Sequence, residues 1–438
     1  MIQRNTIREI FHEALLSVLP ETLIRESVRR EGGLIKIASE ESYNLSDYGG
    51  VYVFGSGKAS VEMARAMERI LGSRLSGGLV VSHAAEKPLE LVETFISSHP
   101  VPTEKSVEAA DLLVSRLAEL SEDDFFFYLM SGGSSALVEK PHPPVDLSDA
   151  REIGRELLGC GMTIEDMNVV RKHLSLVKGG RLGRVAKARG VVLVLSDVIG
   201  DDLEAIGSAL LYCDRSTYKD AYHLLLRYNL WDRIPSRAQT LIRKGISGDT
   251  EDTPKKPNPR LSHVVIGNGL VALKRARAKA QSMGMSAHIM TSRLRGEAQE
   301  VAKFIVSLGE EIARTGNPFS PPVCLLFGGE TTVTLTGNGK GGRNQEMCLA
   351  ALRELRDNKS MILLCAGTDG MDGNSDAAGA VVDHESYARA CRLGLDLSDY
   401  LNRNDSHSFF THTGDLVLTG PTGTNVMDIG ILLIRKEE

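Results

Sequence analysis

Short apolar runs that end in glycine or a small polar residue recur along the chain: "GVYVFG", "GGLVVSH", "FFFYLMSGG", "GVVLVLSD", "HVVIGNG", "VCLLFGGE" and "MILLCAGTD". They are rich in Val, Ile and Leu and show little in-out alternation, the pattern of strands covered on both faces of a parallel sheet. Between them lie longer stretches, such as "EMARAMERIL" and "ALKRARAKAQSMG", whose apolar positions recur at helical spacing opposite charged ones. Alternation of the two patterns predicts an α/β protein. The start of the chain, "MIQRNTIREIFHEALLSVLP", breaks its apolar positions with Arg4, Arg8, Glu9 and Glu13, so it reads as an amphipathic helix rather than a signal peptide.

The pattern lapses in one place. Residues 245 to 263, "GISGDTEDTPKKPNPRLSH", crowd glycine, charge, Pro254, Pro257 and Pro259 together without apolar periodicity. Residues 246–262 are therefore expected to link two doubly wound α/β domains with mostly parallel sheets, a Rossmann-like one at 1–245 and a second at 263–438. Both sides repeat one order of features: strand, GxG and helix ("VFGSGKAS", "VIGNGLVA"); strand and paired glycines ("LMSGGSSA", "LLFGGETT"); strand and aspartate turn ("VLSDVIGDD", "AGTDGMDG"). This order fits either a distant internal duplication or the ordinary grammar of doubly wound sheets. In both cases the polar loops fall at the carboxyl ends of strands, where open α/β sheets bind ligands. The active site is expected in the cleft between the domains.

A length of 438 residues, 42% hydrophobic and 25% charged, suits such a two-domain globular protein. The net charge of -6 offers no general field for nucleic acid or an anionic membrane, and neither is expected as a partner. No apolar run approaches the ~20 residues that cross a bilayer, since even "GVVLVLSDVIG" is broken by Asp197. A cytoplasmic location is expected. Cys160, Cys213, Cys324, Cys348, Cys365 and Cys391 form no CxxC pair and are expected as reduced core thiols.

Five segments carry chemistry. In "VFGSGKAS", Tyr52 stands where a Walker A loop needs its first glycine, and Lys58 is followed by Ala59 rather than a hydroxyl. As a dinucleotide fingerprint the segment lacks the acidic residue after the next strand, which ends in Ser82 and His83; the second copy at Gly267 and Gly269 fails likewise at Thr291 and Ser292. What remains is a glycine turn, Gly55, Ser56 and Gly57, opening a helix whose amides would face an anion beside Lys58. "MSGGSSALVEKP" sets Gly132, Gly133, Ser134 and Ser135 in a loop suited to phosphate, and its Ala136 excludes a Gly-x-Ser-x-Gly elbow.

In "VLSDVIGDD", Asp197 at the strand end is the better candidate for Mg²⁺, because Asp201 and Asp202 are explained equally well as helix caps. "TGNGKGGRNQEMC" leads into Arg343, a residue suited to bidentate contact with carboxylate or phosphate. "GTDGMDGNSDAAGA" holds Asp369, Asp372 and Asp376 at a spacing that is not an EF-hand. Catalysis, magnesium binding and domain positioning all remain open for these aspartates.

Taken together with "GNG", "FGGETTVT" and "GPTGTNVMDI", these motifs resemble, in order and over nearly the whole chain, the glycerate 2-kinase family, two-domain enzymes with a C-terminal MOFRL region, some of them labelled hydroxypyruvate reductases. The resemblance implies phosphorylation of D-glycerate at its 2-hydroxyl by ATP with Mg²⁺ or another divalent cation, giving 2-phosphoglycerate and ADP. It also implies that Lys58 and Arg343 line the site.

On this reading Lys58 contacts the transferring phosphoryl and Arg343 a substrate carboxylate or phosphate, while Asp369 accepts the hydroxyl proton. The SGGSS loop and Asn268 serve the nucleotide, Glu330, Asn344 and Glu346 the substrate, and Asp197 the metal. The implied partners are glycerate and ATP, with a homodimer as the expected assembly. Two rivals are an NAD(P)H-dependent hydroxypyruvate reductase and a non-catalytic sugar-phosphate-binding regulator.

Overall fold

The computed structural model describes residues 4–38, 41–85, 87–356 and 358–436. They form two compact units, Leu23–Ile266 and Met1–Thr22 with Gly267–Glu438, each containing a six-stranded sheet. The first unit opens with a small antiparallel sheet of β1 (Val28–Glu31), β2 (Leu34–Ile37) and β3 (Glu41–Asn44). Its main sheet comprises β4 (Val51–Ser56), β5 (Gly77–Ser82), β6 (Val92–Ile96), β7 (Phe125–Met130), β8 (Arg189–Leu195) and β9 (Leu261–Gly267), in spatial order β6-β5-β4-β7-β8-β9.

The pairings from β6 through β8 are all parallel, and every side chain of β7 is buried, as its unbroken apolar run requires. Phe54, Phe126 and Tyr128 share one core with Ala110, Leu113 and Leu117 of the helix Glu104–Glu119. The helix Ser60–Leu71 runs against β4, β5 and β7. A second core, around Leu157, Leu225 and Trp231, joins the helices Leu147–Gly159, Ile164–His173, Tyr218–Arg227 and Ser236–Ser247. Strand order reverses between β4 and β7, which makes the loops after these two strands the flanks of the switch point where doubly wound sheets hold ligands.

The second unit contains β10 (Ser286–Leu294), β11 (Val323–Gly329), β12 (Met361–Gly367), β13 (Gly379–Val382), β14 (Leu416–Val417) and β15 (Asp428–Ile434), in order β10-β11-β15-β12-β13-β14. The chain is thus α/β throughout, but this sheet is mixed rather than mostly parallel. Only the β10–β11 pairing is parallel; β15 lies between β11 and β12, antiparallel to both. Its run "DIGILLI" was absent from the expected strands, and a last strand returning into the middle of a sheet sets the direction of both neighbours. The two main sheets therefore differ in order and direction, so the repeated glycine turns reflect shared strand-turn-helix grammar rather than a repeated topology.

The boundaries also differ from the expected 1–245, 246–262 and 263–438. The segment at 246–262 is no free linker: Thr253 Oγ1 donates to Asp214 (2.9 Å), Asn258 Nδ2 to the Gly183 carbonyl (2.8 Å), and Leu261 joins the core of the first sheet. Strand β9 follows directly as that sheet's edge, beside β8. At the other end, the helix Arg4–Ser17 is amphipathic as expected and buries Ile7, Ile10, Phe11, Ala14 and Leu15. It belongs with the C-terminal unit, where Arg4 contacts Asp383 (2.6 Å) and Asp415.

No helix among the described residues is long and apolar enough to cross a membrane. Cys213, Cys324, Cys348 and Cys365 are buried free thiols as expected, whereas Cys160 is half-buried and Cys391 exposed.

Candidate functional site

Two polar clusters form at the strand ends, one in each unit. In the first, β4 runs into Gly57, whose φ of +125° excludes most side chains and whose Cβ position lies 2.2 Å from Ser131 Oγ. The close approach knits the two glycine loops together. Gly57 N–H donates to Val81 O (3.1 Å), Lys58 N–H to Gly132 O (2.9 Å) and Ala59 N–H to Ser131 Oγ (3.0 Å). The amides of the GSGK turn are therefore spent on protein acceptors, contrary to the expectation that they face an anion. Gly55 and Ser56 are buried within β4, and Ser56 Oγ hydrogen-bonds Tyr128. What the turn presents outward is the exposed side chain of Lys58.

The loop after β7 behaves differently. Ser134 Oγ turns inward to the carbonyls of Ser56 (2.8 Å) and Ser131 (2.7 Å), and Ser135 Oγ bonds Ser208 (2.8 Å). The backbone N–H groups of Gly132, Gly133, Ser134 and Ser135, however, have no acceptor among the described residues. Gly133 sits in the left-handed region at φ +88°, a conformation found in backbone turns that gather successive amides on one side.

Around the loop stand groups from other strand ends. A side chain on Gly133 would meet the His99 ring at 3.1 Å and Lys58 Cγ at 3.4 Å, and one on Gly132 would strike Asp197 Oδ2. Asp197 follows β8; burial pushes its carboxyl up and the Lys58 charge opposes that shift. His83 and His99 follow β5 and β6, with ring centroids 6.3 Å apart. Burial, reinforced by Lys58, pushes His83 down and His99 down to about 4, so His99 is neutral near pH 7. The sequence reading missed His99, and its signal was positional: a polar side chain just beyond a parallel strand.

In the second unit, Arg343 opens the helix Arg343–Leu355. It donates to Asp428 through Nε (2.5 Å) and Nη2 (3.1 Å), and Nη1 lies 2.6 Å from Glu330. Asp428 begins β15 opposite both Gly329 of β11 and Gly367 of β12, so the antiparallel strand delivers a carboxylate between two strand ends. Asp372 caps the helix, accepting from the amides of Asn344 (3.0 Å) and Gln345 (2.8 Å). Burial raises Asp372 to about 6 against the effect of those amides, and Asp428 adds to the rise. Asp428 was a further residue overlooked in the sequence, because only the missed strand brings it to Arg343.

The remaining expected residues fall in different settings. Asn344 is buried and donates to Asp372 (3.2 Å) and Asp428 (2.9 Å), while Glu346 is buried against Gln299 (2.8 Å) and Asn404 (3.3 Å) and its carboxyl is pushed up by burial. Both are occupied by protein partners. Glu330 is exposed, and Asp369 is half-buried at the end of β12 with Oδ1 accepting from Met371 N–H (3.1 Å). Asn268 caps the helix Gly269–Ser282 through Val271 N–H (3.0 Å).

Among the described residues no group of three or more His, Cys, Asp or Glu is arranged to hold a metal ion. Magnesium commonly takes only one or two protein carboxylates, with phosphates and water completing its shell.

Comparison with known proteins gives two family matches. Residues 6–243 match the model described as a domain of unknown function, DUF4147, and residues 323–428 match the MOFRL family. A glycerate 2-kinase of Pyrococcus horikoshii is 41% identical, over 97% of this chain and 96% of its own. A relative from Agrobacterium vitis, 35% identical over 98% of this chain and 94% of its own, carries the provisional name of a hydroxypyruvate reductase. The crystal structure of a glycerate kinase from Thermotoga maritima is similar with a TM-score of 0.87 and 36% identity, covering 98% of this chain and 99% of that one.

Proposed function

Because the chain belongs to the glycerate 2-kinase family, we propose that it transfers the terminal phosphoryl group of ATP to the 2-hydroxyl of D-glycerate, releasing 2-phosphoglycerate and ADP. The observation that carries this reading is the run of four acceptor-free amides, Gly132 to Ser135, curved beside Lys58 at the switch point of the parallel sheet. Phosphoryl transfer asks a protein mainly to position two oxygens in line and to neutralise charge on the moving group. Backbone amides do this without reorganising, and a mobile ammonium follows the phosphoryl between donor and acceptor.

In this proposal the amides hold the nucleotide phosphates and Lys58 contacts the transferring group. Asp197 is the carboxylate that would hold a divalent cation, which when bound supplies further neutralisation of the phosphates. Arg343, already oriented by Asp428 and Glu330, recognises the glycerate carboxylate with its remaining N–H donors. Asp369 accepts the proton of the attacking hydroxyl. Asn344 and Glu346 contribute by fixing the helix that carries Arg343. The neutral His99 adds no second positive charge beside Lys58.

The test is a phosphorus NMR spectrum of the product formed from ATP, Mg²⁺ and D-glycerate, with a parallel incubation of hydroxypyruvate and NADH. A resonance of 2-phosphoglycerate and no NADH loss is the expected result. Rapid NADH oxidation without ATP would replace the kinase by a reductase, and binding of ligands without turnover in either assay would leave only a regulator. Lys58→Ala is expected to lower kcat by about 100-fold or more without changing the fold.

A further inference from the structure

A cavity of about 310 Å³ lies wholly within the first unit. It shares His99, Gly133 and Ser135 with the surroundings of the phosphate loop; the rest of its wall is largely apolar, with Val101, Ile153 and Leu174 among it, and Arg151, Arg155 and Lys178 also lie on the lining. Three features of its lining are unexplained by the fold. Arg171, on the helix Ile164–His173, is half-buried, yet its guanidinium makes no hydrogen bond or ion pair among the described residues. Burial disfavours its charge and only the more distant Glu139 carboxylate compensates. Glu139 in turn gives Oε2 to Lys178 and leaves Oε1 buried with no partner.

Gly154 is the third feature. It lies inside the helix Leu147–Gly159, where glycine is destabilising relative to alanine, and a Cβ there would meet nothing within 4 Å. A helical glycine with open space on its cavity side makes room that the protein itself does not fill.

A half-buried cation and a buried carboxylate oxygen without partners both cost stability unless a ligand satisfies them. The occupant must therefore accept hydrogen bonds from Arg171, donate to Glu139 Oε1 and bury apolar surface. Glycerate has no apolar face to bury. A nucleobase has one: its ring nitrogens accept, and an exocyclic amino group donates. The shared residues Gly133 and Ser135 connect this cavity to the free amides that suit phosphates.

We propose that the cavity seats the base and ribose of the nucleoside triphosphate, with an amino-bearing purine facing Glu139 and Arg171. The assignment rests on the kinase reading for the identity of the nucleotide. It makes the first unit alone responsible for nucleotide selection.

Calorimetric titration with ADP and with IDP, on the full chain and on Arg171→Met and Gly154→Leu, tests it alongside KM for ATP and for glycerate. ADP is expected to bind the wild type about tenfold more tightly than IDP, whose base lacks the amino group. Each variant should weaken ADP and raise KM for ATP by about tenfold or more, with KM for glycerate within about twofold of wild type. Neither variant removes a hydrogen-bond partner from another group, and Arg171→Met also relieves the repulsion between Arg171 and Lys178, so both should melt, without ligand, no earlier than wild type.

Unchanged ADP affinity in both variants, or a rise in KM for glycerate instead, overturns the assignment even if the wild type is an active kinase. Failure of the wild type to phosphorylate glycerate would sink the kinase reading separately. Loss of ADP binding in the two variants would still place a nucleotide in this cavity.

Discussion

Arg343 carries its charge in surroundings that oppose it, and two carboxylates hold it there. Burial alone would lower its pKa; Asp428 and Glu330 more than reverse that, so the guanidinium and Asp428 depend on each other. Arg343→Met should therefore cost stability whatever it does to activity, because it leaves Asp428 and Asp372 facing one another without a counter-charge. A loss of about 1–3 kcal/mol in urea unfolding is expected, and the double variant Arg343→Met with Asp428→Asn should recover much of it while remaining inactive. Recovery of activity in the double variant would show that Arg343 serves the fold alone.

Two histidines contribute to the loss of stability in acid. His99 and His263 are each pushed down to about 4, chiefly by burial, from an ordinary value near 6.5. Between these values the unfolded chain binds more protons than the folded one, so their contribution to stability is present above pH ~6.5 and is lost as the pH falls toward 4. Asp372 works in the opposite sense, its raised pKa making stability fall as the pH rises toward 6. The comparison that isolates the histidine effect is His263→Gln against wild type. Melting temperature from pH 7 to pH 5 should fall less steeply in the variant, and parallel slopes would remove His263 from the account.

The β-turn-α elements show how a glycine pattern acquires or loses a function through partners remote in sequence. Both "GSGK" and "SGGSS" read alike as glycine turns opening helices, yet the first spends its amides on Val81, Gly132 and Ser131 while the second keeps its amides free. Sequence spacing fixes the turn but not the acceptors, since these come from β5 and β7 once the sheet is assembled. The parallel sheet, the helices between its strands and the strand-end location of Lys58, Asp197 and Arg343 were legible because buried strands and glycine turns leave local marks. His99, Asp428 and Arg171 were not, because each gains its setting from packing.

Gly132 provides the corresponding test at this scale, since its missing side chain is what admits Asp197 beside the amides. Gly132→Ala should displace that carboxylate and lower kcat/KM by about tenfold or more, because misplacing a positioning group by an ångström is costly to in-line transfer. Normal turnover in this variant would separate Asp197 from the reaction.

At the scale of the whole chain, compact units and sequence blocks do not coincide. The N-terminal helix offers Ile7, Ile10 and Phe11 as one apolar face, and its Arg4 meets Asp383 and Asp415 from the far end of the chain. At the other boundary, the proline-rich segment is bound to the first unit through Asp214 and Gly183 and delivers β9 to that unit's sheet. A cut at residue 245 therefore does two kinds of damage. It strips an edge strand from the parallel sheet, exposing β8, and it leaves the apolar face of the first helix with nothing to cover it; both are routes to aggregation. A fragment spanning 23–266 keeps all but the last residue of β9 and the two cores described above. Expressed separately, 23–266 should be monomeric with a single cooperative thermal transition, whereas 1–245 should aggregate or melt without cooperativity. If the nucleotide cavity is assigned correctly, 23–266 should also retain ADP binding while showing no transfer to glycerate, since Arg343 and Asp369 lie on the other unit. Cooperative folding of 1–245, with 23–266 unfolded, would return the boundary to the proline-rich segment and make β9 a strand of the second unit.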